Sequence, residues 1–222
     1  MIVLGLDTSA SGCSAAVWRD GGVLARRFAL MGRGQSEALM PMVTAVMAEA
    51  GLDFAAPTLV AVTVGPGAFT GIRIGLATAR AIGLAAGIPV AGVTTTEAIA
   101  HGVPEAERRG RPLLVAVDAK RADVFAQVFA ADLSAAAPPT ALLPEAAAAL
   151  VGGAAVLLAG DGASRLAALL PLAEMSAAAP TPDAAVVAGL AARRWREGRA
   201  LAPAPLYLRP PDVTPPPGYR PP

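Results

Sequence analysis

One short pattern occurs twice in this chain and restricts its fold more than any other feature. Leu4-Gly5-Leu6-Asp7, a turn, and the run Ser14 to Trp18 are matched in form by Val115-Ala116-Val117-Asp118, a turn, and Val124 to Phe129. Each copy reads as a buried strand that ends on an aspartate and folds back into a second strand. The chain thus reads as a duplicated strand-Asp-turn-strand unit, one per half. In the first half Asp20-Gly21-Gly22 marks a hairpin into a third strand, Val23 to Ala29. The polar stretch from Pro104 to Arg111 divides the halves, giving expected domains 1–103 and 104–222 within a chain of 222 residues.

The first half carries a second constraint. The apolar run Leu59 to Val64 leads into Gly65-Pro66-Gly67-Ala68-Phe69-Thr70-Gly71-Ile72-Arg73, and a small-residue helix follows to about Gly87. A glycine loop feeding a helix N-terminus suits a phosphate, because unpaired N–H groups point outward there. It also suits a tight strand-to-helix connection whose glycines only satisfy geometry. Neither nucleotide fingerprint is complete. The P-loop needs Lys-Ser or Lys-Thr after its last glycine, and Ile72-Arg73 stands there. The dinucleotide spacing fails because Gly71 comes one residue too late after Gly67.

Two helical faces are candidate contact surfaces. Gly75, Ala79, Gly83 and Gly87 recur every four residues, with Ile72 and Leu76 beside them, so another helix could approach to backbone distance. In the segment Gln35 to Ala50, Leu39, Met42, Val43, Val46 and Met47 share one face, with Met40 at its margin and Pro41 in the first turn or at a kink. Methionine suits both irregular cores and adaptable binding surfaces. Later signals are a capping box at Thr94-Thr95-Thr96-Glu97, a helix over 144–150, a strand over 155–159, a Gly160-Asp161-Gly162 loop into a helix over 163–170, and a last helix capped by Asp183.

Composition narrows the chemistry. The formal net charge of +1 gives no whole-chain argument for nucleic acid or membrane binding. A single cysteine, Cys13, allows no internal disulfide and fits a reducing, cytoplasmic setting; its position predicts a small buried residue. No signal peptide is evident, and Arg73, Arg80 and Pro89 interrupt the most apolar helix, so no membrane span is expected. His101, the only histidine, falls at a helix C-terminus, where a cation is favoured. One histidine cannot build a two-histidine metal site or an H-E-x-x-H site, and no G-x-S-x-G elbow accompanies it. No catalytic residue and no metal ligand is therefore assigned. The arginines from Arg193 onward, ending in a proline-rich stretch expected to be disordered, could meet RNA phosphates or form a solvated helix face.

The duplicated unit, Asp7-Thr8-Ser9 after the first strand, Asp118 after its counterpart and the late Gly-Asp-Gly loop resemble the superfamily of actin, hexokinase and the heat-shock chaperone ATPases. That resemblance implies an α/β fold of two related actin-like (ASKHA) subdomains, each a mixed sheet with flanking helices. Asp7-Thr8-Ser9, the Gly65 to Arg73 loop and Tyr207-Leu208-Arg209 are closer still to the bacterial TsaB family, also called YeaZ, over most of the chain. One departure stands out: Ala68 occupies a position where the family loop commonly has serine, which favours structural use of the loop.

The family resemblance implies an accessory subunit of the machinery that places threonylcarbamoyl on N6 of adenosine 37 in tRNAs reading codons that begin with A. Its implied partners are a TsaD-like catalytic paralogue, a small TsaE-like ATPase and tRNA reached through the complex, with a homodimer as an option for the isolated chain. It implies that the helices over 35–50 and 72–87 bundle with their counterparts in the paralogue, which would make the two stripes parts of an interface. The superfamily places Mg-water and phosphate ligands where Asp7, Thr8, Ser9 and Asp118 fall, with Gly65, Gly67, Thr70, Gly71 and Arg73 as the adjoining loop. ATP or ADP with Mg at a subunit joint therefore stays open as a cofactor. Three readings follow: a non-catalytic scaffold, an ATPase or small-molecule kinase of the same fold, and a protease.

Overall fold

The computed structural model describes residues 1–209. The end of the proline-rich stretch, expected above to be disordered, lies outside the described residues. The chain begins with β1 (Ile2–Asp7), β2 (Gly12–Arg19) and β3 (Gly22–Leu30), an antiparallel meander. Asp20 and Gly21 both take positive φ, 46° and 101°, the conformation that lets a two-residue turn follow the strand twist. Helix α1 (Gln35–Glu49) carries Pro41 in its interior rather than in its first turn. Then come β4 (Leu59–Thr63), α2 (Phe69–Ala86), β5 (Val90–Val93) and α3 (Thr95–Gly102). The first sheet has the order β3-β2-β1-β4-β5, with β4 parallel to β1 and β5 parallel to β4.

The second half repeats this layout. After the short helix α4 (Glu105–Arg108) follow β6 (Leu113–Asp118), β7 (Val124–Phe129), β8 (Thr140–Leu142), α5 (Pro144–Ala149), β9 (Leu157–Ala159), α6 (Ser164–Ala167) and β10 (Glu174–Met175). The order β8-β7-β6-β9-β10 is the first sheet again, strand for strand. The duplication inferred from two tetrapeptides thus extends to five strands per sheet, the actin-like arrangement. Three elements gave no sequence signal, α4, β8 and β10, each four residues or fewer.

The last helix, α7 (Ala184–Arg196), corrects the expected division at residue 103. It lies on the first sheet, where Val187, Ala188 and Ala191 are buried with Val3, Leu59, Ala61 and Val93. The opposite sheet face buries Leu4, Leu6 and Val62 against Leu39, Val43, Ile72 and Leu76 of α1 and α2. The first lobe is therefore 1–103 plus α7, since a five-stranded sheet with helices on one face alone would leave Val3 and Ala61 in water. Gly5 is the position that admits α7: a Cβ there would lie closer than 3.0 Å to the Ala184 carbonyl oxygen. The Asp183 cap is observed, its carboxylate accepting from the Ala185 N–H at 2.9 Å.

A second correction concerns His101. It sits at the end of α3, but burial and the neighbouring Arg193 lower its pKa, which favours neutral imidazole over the cation expected at a helix C-terminus. The capping box at its start forms in part. The Thr94 hydroxyl accepts from the Glu97 N–H at 3.4 Å, while the Glu97 carboxylate accepts from that hydroxyl and pairs with Arg194 of α7.

Candidate functional site

Asp7 ends β1 with no exposed surface. One carboxylate oxygen, Oδ1, accepts three hydrogen bonds: from the Ser9 N–H at 3.0 Å, the Ser9 hydroxyl at 2.6 Å and the Thr63 hydroxyl at 2.6 Å. Its other oxygen, Oδ2, is buried with no partner. Burial pushes the carboxyl up to about 6, against the three hydrogen bonds and with help from the negative charge of Asp161. Thr8 donates to the Gly71 carbonyl at 2.7 Å, and Ser9 Oγ accepts from Thr95 at 2.9 Å.

The glycine loop closes over these residues. A Cβ on Gly67 would fall closer than 3.0 Å to the Ser9 carbonyl oxygen, and one on Gly71 equally close to that of Thr8. The Ala68 N–H donates to Ser9 at 2.7 Å. Gly65 has φ 109°, a conformation suited to glycine. The loop's backbone thus lies against the carbonyls of the strand end, where a phosphate would need room, and Thr8 and Ser9 are fully buried. Thr70 and Arg73 face outward.

The second lobe repeats the motif with charge in place of burial. A Cβ on Gly160 would meet the Ala116 carbonyl, as those on Gly67 and Gly71 would meet the strand end in the first lobe. Asp161 accepts from the Asp118 N–H at 2.9 Å and from the Ser11 N–H of the other lobe at 3.1 Å. Asp118 is partly buried, which opposes ionisation, yet the Lys120 N–H and ammonium and Arg165 hold its pKa below the usual carboxylate range. Lys120 also donates to the Ser11 hydroxyl at 2.8 Å. Among the described residues no cluster of three or more His, Cys, Asp or Glu is placed to hold a metal ion.

The stripes expected to face a partner are interior. Leu39, Val43, Val46 and Met47 of α1, and Ile72, Gly75, Leu76, Ala79 and Gly83 of α2, are buried in this chain's own core; Met42 is half-buried. The small side chains admit the sheet rather than a second helix. A Cβ on Gly75 would meet Thr8 Oγ1 and Val62, one on Gly83 would meet Val90 and Ile88, and Gly87 is the left-handed cap that stops α2. The exposed apolar surface is the reverse face of α2, flanked by Met40 of α1 and Phe54 of the loop after it. Met40, Phe54, Ala77, Thr78, Ala81 and Ala85 line an open groove of about 760 Å³, and Leu84 beside it is 87% exposed. Sequence reasoning missed this face because alanine carries little hydrophobic contrast; Leu84 and Phe54, both exposed, were the usable signal.

The chain matches the family model of TsaD, tRNA N6-adenosine threonylcarbamoyltransferase, over residues 19–193. It is 36% identical to an uncharacterized protein of Mycobacterium tuberculosis over 215 residues, covering 96% of this chain and 94% of that one. Against the Escherichia coli tRNA threonylcarbamoyladenosine biosynthesis protein TsaB it is 35% identical over 125 residues, covering 56% of this chain and only 53% of the relative's length. YeaZ from Pseudomonas aeruginosa superposes with a TM-score of 0.78 at 27% identity, over 93% of this chain and 99% of that one. The chain belongs to the TsaB/YeaZ family. An activator of 2-hydroxyisocaproyl-CoA dehydratase from Clostridium difficile, solved with bound ADPNP, reaches a TM-score of 0.53 at 11% identity and shares the fold alone.

In this TsaB/YeaZ chain the alanine at position 68 has a local meaning. Ala68 is the N-cap of α2, and its methyl side chain leaves the helix start without a side-chain cap. The arginine-rich end is largely neutralised. Arg194 pairs with Glu97, Arg196 with Asp20, Arg199 with Glu197 and Arg209 with Asp123. Most of the charge read as a phosphate-binding run is thus spent inside the chain. Cys13 is buried and its thiol is pushed up to about 12, as a small core residue requires.

Proposed function

We propose that this chain is a non-catalytic scaffold subunit in tRNA threonylcarbamoyladenosine biosynthesis, serving the modification of N6 of adenosine 37 in tRNAs that read codons beginning with A. The observation that carries the reading is the filled strand end. Thr8 and Ser9 are wholly buried under the backbone of their own glycine loop, and the groups that would coordinate a phosphate are engaged with one another. The exposed apolar face of α2, with Met40 and Phe54 beside it, supports a docking role, since a contiguous patch of this kind marks an interaction site. Its occupant in this reading is a TsaD-like catalytic paralogue; a TsaE-like ATPase and tRNA join the resulting complex. A second copy of the chain is the alternative occupant when the paralogue is absent.

The test is reconstitution of the modification with and without this chain, using Ala81→Arg and Leu84→Glu variants on the exposed face. Both should keep the fold and lose the paralogue, and the modification should fall with the complex. Assembly at wild-type affinity in both variants would remove the interface assignment. ATP turnover by the isolated chain would instead support an ATPase or kinase, with ATP and Mg meeting Asp7 and Asp118 after the loop moves. Modification of tRNA by the chain alone would overturn the scaffold reading.

A further inference from the structure

Two covalent connections join the lobes, one from α3 to β6 and one from β10 to α7. Bodies tied by two short connections keep a hinge freedom, and a third crossing removes it. Residues 201–209 make that third crossing. The segment begins on the first lobe, where the Gly92 N–H donates to the Leu201 carbonyl at 2.8 Å and Arg80 donates to the Pro203 carbonyl at 2.5 Å. It passes the end of β4, with the Leu206 N–H donating to the Val64 carbonyl at 2.7 Å and the Leu206 side chain packed against the first core. Gly65 and Gly92 admit it, since a Cβ on either would lie closer than 3.0 Å to the carbonyl oxygens of Leu206 and Ala202.

At the start of α2 the segment is clamped by rings. Tyr207 lies 4.9 Å from Phe69 between centroids, and its hydroxyl accepts from Arg73 Nε at 2.9 Å. The Arg73 guanidinium sits 3.6 Å over the Phe69 ring. Beyond Tyr207 the segment reaches the second lobe as well. Leu208 packs on the seam, in the cluster where Ala10, Ile99 and Val103 of the first lobe meet Leu113, Val115 and Phe125 of the second, and Arg209 pairs with Asp123 in the turn between β6 and β7. That same turn carries Lys120, which reaches Ser11 of the first lobe. Pro203 and Pro205 restrict the free segment and so lower the entropy lost when it docks.

We propose that residues 201–209 are a latch: docked, they hold the second lobe closed on the turn that follows β1, and release at Tyr207 lets the lobes part there. The contacts that separate on release are those of Ser11 with Asp161 and with Lys120, while the two covalent connections and the packing of α3 on β6 and β7, with the Thr96 hydroxyl donating to Gln127, act as the hinge.

The experiment uses the full chain with spin labels on Arg33→Cys and Ala136→Cys, exposed positions in the first and second lobes. The native Cys13 is buried and stays unlabelled. Tyr207→Ala should speed hydrogen exchange at the Leu206 amide about tenfold, the loss of one ring contact and one hydrogen bond. It should also broaden the interlobe distance distribution. Arg209→Gln should broaden that distribution as well, and Tyr207→Phe, which keeps the ring, should fall between wild type and Tyr207→Ala. Faster exchange with an unchanged distance distribution would mean a tail docked on one lobe and would overturn the latch. So would wild-type exchange at Leu206 in Tyr207→Ala.

Discussion

Replacing Asp7 by asparagine should change how stability depends on pH, and the size of the change follows from the burial of one carboxylate. In the unfolded chain the group has its ordinary value of 3.8, and in the fold burial raises it to about 6. Below pH 3.8 both states carry the proton. Between 3.8 and about 6 the unfolded chain loses its proton first, so unfolding releases protons and stability falls as pH rises. Above that window the ionised, buried group costs about 3 kcal/mol, from a shift of roughly two units at about 1.36 kcal/mol each. Asparagine keeps Oδ1 to accept from Ser9 and Thr63 and never ionises. Its amide N–H groups replace Oδ2, which has no partner, and this adds a cost that does not depend on pH. Urea unfolding of both proteins from pH 4 to 8 isolates the effect as a difference. The stability of Asp7→Asn relative to wild type should rise by about 2 kcal/mol between pH 4 and pH 7 and level off above. A flat difference would show that Asp7 titrates as an ordinary carboxylate, and the account of the strand end as a dry site would be wrong.

Three further substitutions probe the packing. Gly71→Ala should cost about 3 kcal/mol in chemical denaturation, because its Cβ would run into the Thr8 carbonyl and either the loop or β1 must move. Ala79→Leu, had the stripe faced a partner, would have spared the fold; with Ala79 wholly buried it should lower stability by about 2 kcal/mol, measurable as a reduced denaturation midpoint in the isolated chain. Asp183→Ala removes the α7 cap and the partner of Arg26, and should cost about 1 kcal/mol, with faster amide exchange confined to the first turn of α7.

Local sequence determined the repeated unit. Short continuous apolar runs ending on Asp7 and Asp118, with turn residues after each, read as buried strands, and the Asp20-Gly21 hairpin and the Thr94 and Asp183 caps needed only their neighbours in the chain. The glycine loop was legible as a loop, but its use was not. Whether Gly67 and Gly71 make space for a phosphate or for the carbonyls of Ser9 and Thr8 depends on how closely two segments some sixty residues apart approach. The stripes posed the same problem. Periodicity names the face of a helix that is buried or small, and only the position of the sheet decides that Gly75 and Ala79 look inward while Ala81 and Leu84 look out. The charge run from Arg193 lost most of its sign to partners in distant elements. Helix α7 returns to the first lobe because the second face of that sheet needed cover, a requirement of the assembled layers that no window of sequence expresses.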